Sequence, residues 1–160
     1  MTEENRAIPQ GIGGWLVLIV IGLVLGSIRI TYSLITEILT IFRADVWSQL
    51  TTPGKAAYHP LWGPFLVFEV FGNVVTVVLS IYTLYLLFRH STLAPKVAIG
   101  LLGWTAFFVT LDFLMGSQIP AVAAQPDAGS VKEVLRSVAS AFVWIPYFIL
   151  SKRVKATFIK

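Results

Sequence analysis

"GGWLVLIVIGLVLGSIRITYSLITEILTIF", Gly13 to Phe42, decides the fold. Its first half is a plain apolar run, and a helix needs about 20 such residues, at 1.5 Å each, to cross a bilayer. Arg29 and then Glu37 appear before the hydrophobicity ends. A guanidinium inside a spanning segment is expensive, so its placement has to be answered by the rest of the chain.

The remainder has the same character. Hydrophobic residues make up 56% of the 160 and charged residues 12%, and the mean hydropathy is +0.80. Soluble domains carry about a quarter charged residues, so the chain calls for lipid as its solvent. Three more runs reach spanning length, each preceded by breakers: Pro53, Gly54 and Pro60, then Pro95, then Pro120, Pro126 and Gly129. The expectation is an all-α integral membrane four-helix bundle, one domain over residues 1–160, with helices about 13–42, 61–88, 95–116 and 133–152. In the loop 43–60, "DVWSQL" sets Val46, Trp47 and Leu50 on one face. This predicts a short helix in the interface, with Trp47 and Trp62 in the aromatic belt. A cleaved signal peptide is disfavoured, since "MTEENRAIPQ" holds two acids against one Arg and no A-x-A-like site follows the run.

Orientation follows the basic residues of the short loops. Arg6, Arg89, Lys96, Lys152, Arg153, Lys155 and Lys160 fall on one side, and Arg43, Lys55 and Lys132 on the other. Both termini are therefore expected in the cytoplasm. The net charge of +4 does not advertise nucleic acid, because the bases are not spread over a soluble face. In the tail "SKRVKATFIK", Val154 and Phe158 share a helical face, while Lys152, Arg153 and Lys155 are placed to meet anionic headgroups.

Helical periodicity sorts the polar residues into seams. Gly22, Gly26, Arg29, Ser33, Thr36 and Thr40 follow at steps of four and three, as do Glu69, Asn73, Thr76, Ser80 and Thr83. The last helix carries Glu133, Ser137, Ser140, Trp144, Tyr147 and Ser151; the third is sparser, with Thr105, Asp112 and Gly116. Small and hydroxylated residues are what lipid-embedded helices use to approach closely. Gly22 and Gly26 form a GxxxG match, expected to pack against Thr76, Ser80 and Thr83 or against a second copy.

Depth then places the charges. Arg29 lies about 21 Å beyond Trp15, and Glu69 about 12 Å inside the opposite boundary. With Asp112 and Arg136 near the outer ends of their spans, this predicts a charge-balanced outer layer. The favoured pairs are Arg29 with Glu69 and Arg136 with Asp112, the exchanged pairs being equally permitted. Asn73, one turn below Glu69, deepens the cluster. The layer reads either as an ion-pair network fixing helix register or as a vestibule for an ion, headgroup or small solute.

Enzyme chemistry finds little support. There is no cysteine, which excludes disulfides, thiolate nucleophiles and Cys-ligated metals. His59 and His90 fall on opposite sides of the expected topology, so neither a two-His metal site nor a Ser–His pair forms within one chain. "GIGG", Gly11 to Gly14, has no preceding strand and is no dinucleotide fingerprint; it eases the chain into the membrane. No cofactor or metal is expected.

"GIGGWLVLIVIGLVLGSIR", "FEVFGNVV" and "WIPYFILSKRVKATF" together resemble a family of small bacterial inner-membrane proteins of unknown function. The resemblance covers most of the chain, with Gly-Gly-Trp-Leu and Trp-x-x-Tyr…Ser-Lys-Arg-Val-Lys its most specific parts. It implies four transmembrane helices and a multi-pass protein of the bacterial cytoplasmic membrane, and it supplies no activity, cofactor or partner. Two functions are carried forward. One is a non-enzymatic accessory or assembly subunit of a larger membrane complex, in contact with membrane lipids. The other is a binding or transport protein whose vestibule is built on Arg29, Glu69, Asn73, Asp112 and Arg136, which as a transporter would have to be a homo-oligomer because four helices are short for alternating access.

Overall fold

A computed structural model describes residues 11–124 and 128–159, the side chains of Ala44, Ala128 and Gly129 excepted. The leader with Arg6, the breaker Pro126 and Lys160 lie outside the described residues. The elements, all helical among the described residues, are α1 (Trp15–Ile41), α2 (Ala44–Thr51), α3 (Trp62–Phe88), α4 (Ala94–Gly116), α5 (Pro120–Ala123), α6 (Ala128–Leu150) and α7 (Lys152–Thr157). Helices α1, α3, α4 and α6 are long and apolar enough to cross a membrane. Their side chains facing away from the bundle are apolar and exposed, Ile28, Val78, Phe107 and Phe142 among them, as lipid-facing surfaces require. This is the architecture of a multi-pass membrane protein.

Helix α6 starts at Ala128, five residues before the expected 133. Glu133 is thereby drawn into the body of the helix, which matters below.

In cross-section the spans follow chain order: α1 packs on α3, α3 on α4 and α4 on α6. Among the described residues no comparable seam joins α6 back to α1. The two meet instead at separated points, through the edge-on rings of Trp15 and Trp144 with centroids 6.2 Å apart, and through an ion pair between Arg29 and Glu133. The bundle is open along that side.

Apolar clusters close the two ends. At the end carrying the chain termini, Leu16, Leu86, Leu87, Ala94, Ala98 and Phe148 receive Val154 and Phe158 from the tail. Ser151 caps α7 by accepting from the Val154 N–H at 3.4 Å, and its extended backbone turns the chain so that α7 folds back onto this cluster. Val154 and Phe158 therefore bury in protein rather than in lipid. At the other end Ile41, Phe65, Leu66 and Ile119 are covered by Trp47 and Leu50 of α2 and by Val122 of α5. Trp47 stacks on Phe42 at 5.4 Å, and the indole nitrogen of Trp62 is buried, while both residues stay partly exposed.

The α3–α4 seam is closely interlocked. Gly72 is buried, and a Cβ there would overlap the Phe108 ring. Phe108 in turn lies 5.2 Å from Phe68 and stacks on Trp104 at 5.8 Å, whose indole N–H donates to the Thr76 hydroxyl at 2.9 Å. Within the chain, a close approach of this kind is made by Gly72 on α3.

Candidate functional site

Between the two apolar clusters lies a cavity of about 1270 Å³ bordered by all four spans. On α1 it reaches from Leu18 to Ile41 and on α3 from Trp62 to Thr83. At 1.5 Å per residue that is about 30 Å, the full thickness of a hydrocarbon core. Its α3 and α4 walls are buried, with Thr76, Ser80, Thr83, Leu101 and Phe108 in the floor. Its α1 and α6 rims are exposed, and there Leu18, Leu25, Tyr32, Arg29 and Glu133 border the same space. The opening therefore faces sideways, toward lipid.

Most residues of the seams read from periodicity line the cavity, while Gly116, Tyr147 and Ser151 do not. Gly22, Gly26, Arg29, Ser33, Thr36 and Thr40 come from α1; Glu69, Asn73, Thr76, Ser80 and Thr83 from α3; Thr105 and Asp112 from α4; and Glu133, Arg136, Ser137, Ser140 and Trp144 from α6. They face one another across a space, however, and do not interlock. A Cβ added at Gly22 or Gly26 would meet nothing within 4 Å, so the expected packing of these glycines against Thr76, Ser80 and Thr83 is not formed.

Most hydroxyls of this lining are already committed. Thr76, Ser80 and Thr83 donate to the carbonyls of Gly72, Thr76 and Leu79 at 2.7 Å, and Thr36, Thr40 and Thr105 do the same one turn back in their own helices. With their protons used, they offer the cavity methyl groups and acceptor lone pairs. The half toward the termini is accordingly a mildly polar slot with Leu23, Ala98, Leu102 and Phe148 in its walls.

The half toward α2 and α5 carries the charge, and its pairing differs from expectation. Arg29 bonds Glu133, not Glu69 or Asp112, because the early start of α6 brings Glu133 opposite α1. Among the described residues Arg136 forms no ion pair, so its expected pair with Asp112 is absent. Glu37, left out of the predicted layer, also lines the cavity. The signal for it was present: 29, 33 and 37 fall on one helical face. Carboxyl groups thus outnumber guanidiniums four to two, with Glu37, Glu69, Asp112 and Glu133 against Arg29 and Arg136. The layer is acidic rather than balanced. Two polar atoms beside it, Asp112 Oδ1 and Trp62 Nε1, are buried with no hydrogen-bond partner.

The remaining predicted surface residues divide. Lys152 and Lys155 are exposed, as headgroup contacts would need. Arg153 is not free for that role: its guanidinium lies over Gly13 and Gly14, and its Nε donates to the Gly11 carbonyl at 3.5 Å. The Gly11 N–H donates to the Thr157 hydroxyl at 3.1 Å. Gly14, at φ 55°, sits at the N-cap of α1, and Gly13 leaves the room that the Arg153 head occupies. The glycine run at the start and the basic tail at the end are two halves of one contact.

That contact joins the motifs by which the chain resembles other sequences, and a family model described as "Protein of unknown function (DUF2569)" matches residues 9–159. The chain belongs to this family. No curated protein and no solved structure matches it. Family membership spans both clasped ends and the whole cavity between them, so the cavity lies within the family's own domain.

Proposed function

We propose that this is a non-enzymatic, membrane-embedded binding protein whose cavity receives an amphipathic molecule from the bilayer. The observation that carries the reading is the cavity itself: as long as the hydrocarbon core is thick, sealed at both ends, and open along α1 and α6. Ligand sites usually occupy about 300–1000 Å³, so the space suits a whole lipid-like chain. A head belongs among the charges at the α2–α5 end, and a tail along Gly22, Gly26, Ala98 and Phe148.

A sideways opening fits a molecule that partitions into lipid first and moves laterally second. With both termini in the cytoplasm of a bacterial cell, the orientation favoured by the basic residues, the head would lie in the outer leaflet. The reading without catalysis is supported by the separation of His59 and His90, which stand at opposite ends of the 27-residue α3. Lateral passage of ligand from one copy to another, as a transporter would require, asks for a second copy at the open face.

The test is to purify the protein in a mild neutral detergent and quantify the amphiphile retained per chain, for the parent and for Gly26→Trp and Ser140→Trp, which fill the cavity. About one molecule per chain, lost in both variants while the helical content persists, is the expected result. A chain that retains no amphiphile but holds a stoichiometric protein partner would overturn the reading in favour of an accessory subunit.

A further inference from the structure

We infer that the cavity selects its amphiphile by tail length, with Ala98 and Phe148 as the stop on which an alkyl tail of about 16–18 carbons ends; the inference rests on reading the cavity as a binding site. Both residues border the cavity and belong to the apolar cluster at the end carrying the termini, where each is 3% exposed. Behind them Leu16, Leu87 and Val154, each 1% exposed, fill the cluster without bordering the cavity, so the space ends there. Val154 arrives on α7, so the segment held by the contacts to Gly11 also backs the stop.

The side of the cavity is shut at the same depth. Trp15 and Trp144 bridge the open face between α1 and α6, and Trp144 borders the cavity one turn from Phe148. A tail that reaches this level is enclosed, whereas farther toward the charged end the mouth stands open. Three helices agree on the distance between the charges and the stop. Glu69 to Thr83 and Asp112 to Ala98 are 14 residues each, and Arg136 to Phe148 is 12. At 1.5 Å per residue the slot below the charges is about 18–21 Å deep. A fully extended chain gains about 1.2 Å per bond, so about 16–18 carbons fill the slot and a longer tail must buckle against Phe148.

The experiment adds saturated 1-monoacylglycerols from decanoyl to docosanoyl, one length at a time, to the protein in neutral maltoside detergent, and counts retained probe by native mass spectrometry. Longer tails also partition more strongly into the micelle, so each variant is compared with the parent at the same length. Retention in the parent should peak at palmitoyl or stearoyl and be about tenfold lower at docosanoyl. Phe148→Ala should move the peak up by about two to four carbons, the reach of the ring removed. Phe148→Leu, which keeps the cluster filled, should move it up by about half as much, and it decides if the alanine variant does not fold. In the opposite direction, Gly22 lies seven residues, or about 10 Å, below Arg29, and a side chain there meets nothing within 4 Å. Gly22→Phe should therefore move the peak down to decanoyl or lauroyl. A peak that stays in place in the Phe148 variants or in Gly22→Phe, or parent retention that keeps rising through docosanoyl, would overturn the stop while the cavity stands as a binding site. Retention of no monoacylglycerol at any length would remove the binding reading itself.

Discussion

The seam between α3 and α4 and the face between α1 and α6 carry the same kinds of residue, glycine, threonine, serine and tryptophan, and do opposite things with them. At the first, Gly72 admits the Phe108 ring, and Thr76 accepts the Trp104 N–H at 2.9 Å. At the second, Gly22 and Gly26 face open space, and the helices meet at Trp15–Trp144 and Arg29–Glu133 with the cavity's mouth between. Small residues permit close approach; whether it occurs depends on a large side chain opposite to fill the notch. Phe108 stands opposite Gly72, and the α1 glycines have no such counterpart.

The largest effect should therefore come from Gly72. Gly72→Leu should destabilise the detergent-solubilised protein by about 1–3 kcal/mol or more, through overpacking against Phe108, as read by thermal unfolding. The same substitution at Gly22 should leave the melting temperature nearly unchanged; equal losses at both would erase the contrast between the faces. Thr76→Val comes next, since it strands the Trp104 N–H and should cost about 1–3 kcal/mol. Thr105→Val, at a hydroxyl bonded only within its own helix, should cost less, and comparable losses would argue against the cross-helix bond.

The charged contact across the open side should matter less to stability. The Arg29 and Glu133 side chains are 63% and 46% exposed, so truncating either leaves no void inside the bundle. Exchanging the charges, Arg29→Glu with Glu133→Arg, should restore whatever either single reversal loses. Exchange with Glu69 instead should not, which separates the observed pair from the one that depth alone suggests. Smallest of all, and opposite in sign, Gly26→Ala should be neutral or stabilising by up to about 1 kcal/mol, because alanine is the better helix former and nothing lies within 4 Å to obstruct it.

These contrasts show what could be read from the sequence. Hydropathy and breakers located four spans because lipid imposes both length and apolarity on any helix that crosses it. The seams were visible too, since residues at steps of three and four share a face whatever that face meets. What lay opposite was not visible. A stripe such as Gly22–Gly26–Arg29–Ser33 looks the same when it packs and when it lines a cavity, and the difference is set by side chains on helices whose order the stripe does not encode. The ion pair was mistaken for a related reason: Glu133 stood at the very start of the expected helix 133–152, yet α6 begins at Ala128 and sets it more than a turn inside. Gly72 stood in plain view between Glu69 and Thr76, but a lone glycine gives no sign that Phe108 will cover it. The tail shows the converse, with Val154 and Phe158 correctly placed on one face and that face buried by the chain itself.

The most direct test is an NMR measurement of proton contacts in bicelles, comparing the α protons of Gly22, Gly26 and Gly72. A laterally open cavity predicts contacts from Gly22 and Gly26 to acyl-chain methylenes of lipid or bound amphiphile, and from Gly72 to the Phe108 ring alone. Contacts from Gly22 and Gly26 to side chains of α6, with no acyl signal, would show that α1 and α6 close on each other and would contradict the account.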